Sequence, residues 1–357
     1  MMKKCIRILI LFILFISLPP LAGLSCTTFL LDNGGQPVFG RNLDWYVGDG
    51  LVVINKRGVE KTAITGPDGR DNLLSWTSKY GSATFNQHGR EFPLGGMNET
   101  GLIVETMVLE DTEYPSPDSR PEVQTLQWVQ YQLDNFSTIE EVISGQSQIR
   151  IREIADPGLH FLVCDRMGNC ATIEFIGKKA VYHTKETMPV KALTNSIYAE
   201  TISYWEKNSI PQPDKDNTVG RFVRAANMVK NYDPKTTKAP IDYAFDILEN
   251  VAHHTYTQWR IVYDVKNLSV FFRTLENQSI RHFSLKSFDL SCATPVKVLD
   301  VNTEQSGDIA DKFVDYTYQI NRNLIREAFR KTLSLSAVPD YVLDIRSKYP
   351  EDASCIE

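Results

Sequence analysis

The feature that most constrains this chain is an apolar leader that stops directly before a cysteine. Three basic residues within the first seven precede an apolar run over residues 8–18, and small residues follow up to Cys26. This order is typical of a cleaved secretory signal. The apolar run is shorter than the ~20 residues that a membrane-spanning helix needs. We therefore expect residues 1–25 to be removed, with no stable membrane span. The mature chain, exported to the periplasm or secreted, would begin at Cys26.

A cysteine at the start of a mature chain combines a nucleophile with a base. A free thiol has a pKa of about 8.5 and an α-amine one of about 7.7–8.0, so the amine can accept the thiol proton near neutral pH. The thiolate readily forms an acyl-enzyme, and the amine can return the proton to a leaving nitrogen. The alternative is an exported lipoprotein or a non-catalytic binding module in which Cys26 is lipidated. Against it, Gly23 occupies a position where lipoprotein signals usually carry leucine.

The remaining composition favours one domain. Removal of 25 residues from 357 leaves 332, and no Pro/Gly/Ser-rich linker, charge block or repeat divides them. The net charge of −6 argues against a nucleic-acid partner, which usually requires a basic face. His253 and His254 are adjacent and cannot share one helix face as a zinc pair does. We therefore expect no metal and no other cofactor.

Cysteine usage points to the same first residue. Of the six cysteines, five follow residue 25. Cys164 and Cys170 flank a turn-rich insert between two apolar runs, so they could form a disulfide across a hairpin or remain two buried thiols. Cys292 and Cys355 could form a second bridge, which spacing alone does not decide. Cys26 would then remain unpaired, as a catalytic thiol must.

Hydrophobic periodicity predicts strands and helices in blocks. Helical spacing centres on residues 126–133, 219–226 and 241–248, and a last amphipathic helix is predicted over 309–335. Such grouping suggests an α+β fold built in layers. The strand-like segments are 27–31, 51–55, 102–109, 160–164, 171–176 and 269–273.

Two short motifs resemble a known family. Cys-Thr-Thr at residues 26–28, followed by Gly-Arg-Asn-Leu-Asp-Trp at 40–45, is similar to the start of the choloylglycine hydrolase and penicillin V acylase family of N-terminal nucleophile hydrolases. The resemblance implies a four-layer αββα sandwich, with residues 26–357 forming one domain that ends in a helical tail. It also implies a small-molecule substrate, a linear non-peptide amide with an apolar acyl group. Penicillin V, conjugated bile salts and N-acyl homoserine lactones are such amides. Members often form homotetramers, although no interface can be read from this sequence.

Arg41 and Asp44 lie three residues apart, just after a predicted strand. Both could reach back to the start of the mature chain. Arg41 would then favour the Cys26 thiolate by Coulomb attraction, and Asp44 would hold and orient the α-amine. The alternative is an exposed ion pair in a turn, which contributes little.

The resemblance supplies two further catalytic candidates. Asn195 lies in a Leu-Thr-Asn segment where the family carries a catalytic Asn, so its amide would donate to the oxyanion; otherwise it caps a turn. Residues 220–224, Gly-Arg-Phe-Val-Arg, resemble a Ser-Arg-Phe-Val-Arg segment whose first Arg is catalytic. That role passes to Arg221. Arg224 is expected on the solvated face of the same helix.

The second oxyanion donor is where the match weakens. Residues 96–102 resemble the family's Asn-Glu-x-Gly-Leu turn, and counting on to the position of an oxyanion Asn or Tyr reaches Val108. Valine has no side-chain donor. Either its backbone N–H serves alone as the substrate-binding group, or the register of the match slips. Asn98 is expected to be a turn residue rather than a ligand.

Overall fold

The computed structural model describes residues 26–32, 35–64, 72–152, 157–208, 217–235 and 238–356. The predicted signal peptide, residues 1–25, lies outside this part of the chain. The strands are, in chain order, β1 (Thr27–Leu31), β2 (Val38–Asp44), β3 (Leu51–Asn55), β4 (Val59–Thr62), β5 (Ser75–Thr77), β6 (Ser82–Asn86), β7 (Gly95–Asn98), β8 (Ile103–Val108), β9 (Glu122–Gln124), β10 (Arg150–Arg152), β11 (Leu159–Cys164), β12 (Cys170–Ile176), β13 (Lys179–Thr184), β14 (Ala192–Leu193), β15 (Thr257–Asp264), β16 (Ser269–Thr274), β17 (Arg281–Ser284), β18 (Lys297–Asp300), β19 (Gly307–Asp308), β20 (Val314–Asp315) and β21 (Ser354–Cys355).

Seven α-helices occur in the described residues, together with short 3-10 turns. The helices are α1 (Thr125–Asn135), α2 (Ile139–Gly145), α3 (Tyr198–Lys207), α4 (Thr218–Lys230), α5 (Pro240–Asn250), α6 (Tyr318–Lys331) and α7 (Asp340–Lys348). The 3-10 turns are Lys185–Thr187, Leu285–Ser287, Ala310–Lys312 and Tyr349–Asp352.

Two large sheets form the centre of the molecule. The first has seven strands in the order β14-β1-β2-β15-β16-β17-β19, and the second has nine in the order β13-β12-β11-β8-β7-β6-β3-β18-β20. Most neighbours in both sheets are antiparallel; β17 and β19 are parallel. A two-stranded sheet (β10-β9) and a three-stranded sheet (β21-β4-β5) complete the strand pairing.

The two large sheets pack face to face, and helices cover their outer faces. Phe85 of β6 contacts the rings of Tyr263 and Phe272 on β15 and β16, which belong to the other sheet. Helices α4 and α5 pack against the seven-stranded sheet. Helices α1 and α2 cover one part of the nine-stranded sheet, and α6 covers the part near β3 and β18. This is the four-layer αββα arrangement, so the predicted α+β fold class is confirmed.

Short apolar runs bounded by turn residues located the strands well. Each of the six predicted strand segments is a strand in the structure, with bounds that differ by at most a residue or so, and helical spacing located α1, α4 and α5. The sharp turn into β8 also behaves as predicted. Gly101 has φ of +90°, and the Asn98 side chain accepts from the backbone N–H groups of Thr100 and Leu102.

The prediction of one helix over 309–335 was wrong at its start. Helix α6 begins at Tyr318, where the Thr317 hydroxyl accepts from the N–H of Ile320. The preceding segment is held in another conformation by tertiary contacts. The Phe313 ring packs against Phe283 and Phe288, and β20 pairs with β18. Burial of these rings outweighs the helical periodicity of the sequence.

Both candidate disulfides are present. Cys164 and Cys170 stand opposite each other on β11 and β12 and are bonded. Cys292 is bonded to Cys355, which joins the C-terminal segment to the body of the domain. Cys26 is the free cysteine among the described residues. The pairing is therefore the one in which Cys26 is left over.

Candidate active site

Cys26 lies at the start of β1, at the edge of the space between the two sheets. Its side chain is 4% exposed, and its Sγ is 4.0 Å from the carbonyl oxygen of Asp44. The antiparallel register of β1 and β2 pairs Thr28 with Arg41, so β2 runs beside the cysteine. Burial raises the pKa of the Cys26 thiol, and the Arg41 charge is the strongest influence that lowers it.

Arg41 reaches across from the seven-stranded sheet to the nine-stranded sheet. Its Nη1 donates to Glu105 Oε2 at 2.6 Å and to the Thr106 carbonyl at 2.6 Å. Arg41, Glu105 and Thr106 are all buried. The prediction that Arg41 acts on the cysteine agrees with its position, whereas an exposed ion pair with Asp44 is contradicted by the structure.

Asp44 ends β2 and is held by two other elements. Arg221 Nη1 of α4 donates to Asp44 Oδ2 at 2.8 Å, and the Thr257 hydroxyl of β15 donates to Oδ1 at 2.5 Å. Burial raises the pKa of Asp44 to about 6, although Arg221 and the Thr257 hydrogen bond lower it. Two residues that the sequence analysis selected separately, Asp44 and Arg221, therefore form an ion pair although they are 177 positions apart in the chain.

Asn195 lies two residues past the end of β14, the strand that pairs with β1. In that pairing Thr28 is opposite Leu193, so the segment after β14 leads towards the start of β1. Its Nδ2 donates to the Val108 carbonyl at 2.7 Å. The structure thus brings Asn195 and Val108, the two candidates for holding the oxyanion, into contact.

Val108 enters the site through its backbone. Side chains alternate along β8, and Met107 faces the inter-sheet core, where its Sδ accepts from the Thr28 hydroxyl. The Val108 side chain therefore points to the opposite face. The Leu109 N–H donates towards β11, to the carbonyl of Gly158. The backbone groups of Val108 point the other way, towards Asn195.

Comparison with known proteins decides the family. A sequence model of the choloylglycine hydrolase family, the linear amide C-N hydrolases, matches residues 26–298. The chain belongs to this family. It is 28% identical over 317 residues to penicillin V acylase of Pectobacterium atrosepticum, which covers 75% of this chain and 83% of that protein. The resemblance seen in the sequence motifs is confirmed, and so is the prediction of a linear amide C-N hydrolase.

Solved structures agree with this assignment. Penicillin V acylase from Agrobacterium tumefaciens superimposes with a TM-score of 0.70 at 28% identity, covering 82% of this chain and 98% of that one. A variant of conjugated bile acid hydrolase from Clostridium perfringens gives a TM-score of 0.62 at 19% identity, covering 79% and 98%. At the lower identity the similarity concerns the fold alone.

Two aromatic residues, Trp45 and Tyr46, directly follow Asp44. The rings of Trp45 and Tyr46 are 5.8 Å apart, and Tyr46 meets Tyr256 edge-on at 5.5 Å. Tyr46 is 46% exposed. The backbone N–H of Trp45 donates to the backbone carbonyl of Tyr256, so the group is held next to the start of β15, beside Thr257. This family member therefore presents aromatic surface next to its site.

Sequence reasoning missed three residues of this site, namely Glu105, Tyr263 and Thr257. For Glu105 a signal existed, because it is a charged residue inside the apolar run 102–109 that was predicted to be a strand. A charge in a buried strand requires a partner. Thr257 and Tyr263 carried no such signal, because hydroxyl-bearing residues are common in strands.

Arg224, expected on the solvated face of α4, is half-buried. Within the described ranges no three or more His, Cys, Asp or Glu side chains are grouped as a metal would need. The same ranges contain no helix that is both long and apolar enough to cross a membrane.

Proposed function

We propose that this family member is exported, is cleaved before Cys26, and hydrolyses linear amides with an apolar acyl group through a Cys26 acyl-enzyme. The observation that carries this proposal is the free thiol at the start of β1, next to the buried Arg41 and Asp44, with Asn195 just past the strand that pairs with β1. The match to the family begins at the same residue, Cys26. Two disulfides elsewhere in the chain are in keeping with an oxidising compartment.

In the proposed reaction the Cys26 thiolate attacks the amide carbonyl. The new α-amine of Cys26 takes the thiol proton and gives it to the leaving amine, and water then hydrolyses the thioester. Asp44, fixed by Arg221 and Thr257, would orient that amine. The Coulomb attraction of Arg41 offsets part of the cost of forming a buried thiolate.

The oxyanion would be held by Asn195 and the backbone N–H of Val108. An amide Nδ2 carries two N–H groups, and one of them donates to the Val108 carbonyl. We assign the second to the oxyanion. A donor of this kind contributes about 2.7–4 kcal/mol to the stability of the transition state.

The aromatic group of Trp45, Tyr46 and Tyr256 supports an acyl group that is apolar and can stack on rings. Penicillin V, whose acyl group contains an aromatic ring, is the first substrate we propose. Conjugated bile salts and N-acyl homoserine lactones are the alternatives within the same chemistry.

The test begins with the intact mass and N-terminal sequence of protein exported by a native or related host. An unmodified start at Cys26 is expected. Released amine is then measured with the three substrate classes and with a series of acyl lengths. Cys26→Ser should retain the fold and lose nearly all turnover. A lipidated Cys26, a start at another residue, or a fully active Cys26→Ser variant would refute the proposal, and indifference to the acyl group would refute its substrate part.

A further inference from the structure

Glu105 is a buried carboxylate between the two sheets whose oxygens are both engaged. It lies on β8, is 1% exposed, and accepts from Arg41 Nη1 through Oε2 at 2.6 Å. The Tyr263 hydroxyl on β15 donates to its Oε1 at 2.6 Å. The carboxylate on the nine-stranded sheet is thus clamped by two residues of the seven-stranded sheet.

The strand beside Glu105 leaves room for this carboxyl group. Gly95 of β7 pairs with Glu105 in the sheet. A Cβ at Gly95 would lie 1.9 Å from Glu105 Oε2 and 2.2 Å from its carboxyl carbon, closer than atoms can approach. The position of the carboxyl group therefore depends on a glycine at this point. Such a fit indicates that the orientation of Glu105, and not only its charge, is built into the sheet.

Arg41, the ion-pair partner of Glu105, is the residue whose charge most strongly favours the Cys26 thiolate. Among the charges near the thiol, Arg41 lowers its pKa the most. Ionised Glu105 counters the positive charge of Arg41, and protonated Glu105 does not. Burial raises the pKa of Glu105 to about 7, while Arg41 and the Tyr263 hydrogen bond lower it. Its charge therefore changes within the neutral range.

We propose that Glu105 is a positioning residue for the reaction: it fixes the Arg41 guanidinium beside Cys26 and, by gaining or losing its own proton, sets how strongly Arg41 favours the thiolate. The proposal rests on the proposed role of Cys26 as nucleophile. The titratable and charged groups facing Glu105 are Arg41 of β2 and Tyr263 of β15. Asp44 and Arg221 also act on the thiol: Asp44 raises its pKa and Arg221 lowers it.

The experiment measures the rate of Cys26 alkylation by iodoacetamide against pH, followed by intact mass, on the purified exported protein. In Glu105→Gln the Arg41 charge is no longer countered, so the thiol should titrate about one pH unit lower than in the wild type. Between about pH 7 and the pKa of the thiol, Cys26 should therefore be alkylated about tenfold faster in Glu105→Gln than in the wild type. Below that pH the two proteins should converge, because Glu105 is protonated in the wild type.

Glu122→Gln is the matched control. Glu122 is also a buried carboxylate, paired with Arg150 and Arg152 on the small sheet. Its loss should also destabilise the fold, because it breaks a buried ion pair, but should leave the Cys26 profile unchanged. If Glu105→Gln leaves the midpoint unchanged, or if both variants move it equally, Glu105 is only a structural ion-pair partner and the proposal is overturned.

Tyr263→Phe keeps the inference testable if Glu105→Gln does not fold. It removes one hydrogen bond that lowers the pKa of Glu105, so Glu105 should stay protonated to higher pH. Alkylation should then be faster than in the wild type in a window above about pH 7 and equal to it at higher pH. Identical profiles would overturn the proposal. A wild-type Cys26 that is never alkylated would contradict the nucleophile itself, which separates that failure from a failure of Glu105.

Discussion

Thr257→Val tests how Asp44 is held in the site. The substitution keeps the shape of the side chain and removes the hydroxyl that donates to Asp44 Oδ1 at 2.5 Å. The carboxylate keeps its ion pair with Arg221 at 2.8 Å. Since Asp44 and Thr257 are both buried, water cannot readily replace the lost donor.

The magnitude follows from the energy of that hydrogen bond. A bond to a charged group contributes about 1.5–3 kcal/mol, and one pKa unit corresponds to about 1.4 kcal/mol. Burial already raises the pKa of Asp44 to about 6 from an ordinary value of 3.8. Losing the bond should raise it by about one to two units more.

The sign of the stability change follows from linkage. Because the pKa of Asp44 is higher in the folded state, the native protein binds this proton more tightly, and stability falls as the pH rises from about 4 to about 6. In the variant the fall should continue to about pH 7–8. The variant is therefore expected to be less stable than the wild type above pH 6 and nearly equal to it below pH 4.

Urea unfolding at several pH values measures this difference, and the pH profile of kcat/KM should show its acid limb about one to two units higher. Thr332→Val is the control, because the buried Thr332 hydroxyl donates to a backbone carbonyl, that of Ala328 on α6, and not to a carboxylate. Its stability loss should not depend on pH. A loss in Thr257→Val that is equally pH-independent, with an unmoved acid limb, would refute the reasoning.

Loss of the Arg221 ion pair and loss of either disulfide should also lower the stability of the fold. Arg221→Met leaves the buried Asp44 without its ion-pair partner, so at pH 8 urea unfolding should show a loss of about 3–5 kcal/mol; a loss below about 1 kcal/mol would contradict it. The disulfides close loops with separations of 6 and 63 residues. Loop entropy then predicts losses of about 2 kcal/mol for Cys164→Ser and about 4 kcal/mol for Cys292→Ser. Thermal unfolding of the two variants checks this order, and the reverse order would be evidence against the chain-entropy explanation.

Local patterns accounted for the elements of this fold and for most of the candidate site. Short apolar runs marked β1, β3, β8 and β11, because both faces of these strands are buried. The family motifs selected Arg41, Asp44, Asn195 and Arg221, which lie on three separate elements or just past their ends. The same reasoning failed at residues 309–317, where packing of Phe313 against distant rings prevents the helix that the local pattern favours.

The sequence alone predicted that Cys26 stands apart, since the four cysteines that follow it can form two pairs. It also determined the family, through two short motifs. Only the tertiary structure decided which groups surround that cysteine. Glu105 meets Arg41 across 64 residues and Tyr263 across 158, and Thr257 meets Asp44 across 213. Periodicity reports which side of a strand is buried, but the facing sheet supplies the partner there, and no local pattern encodes which strand that will be.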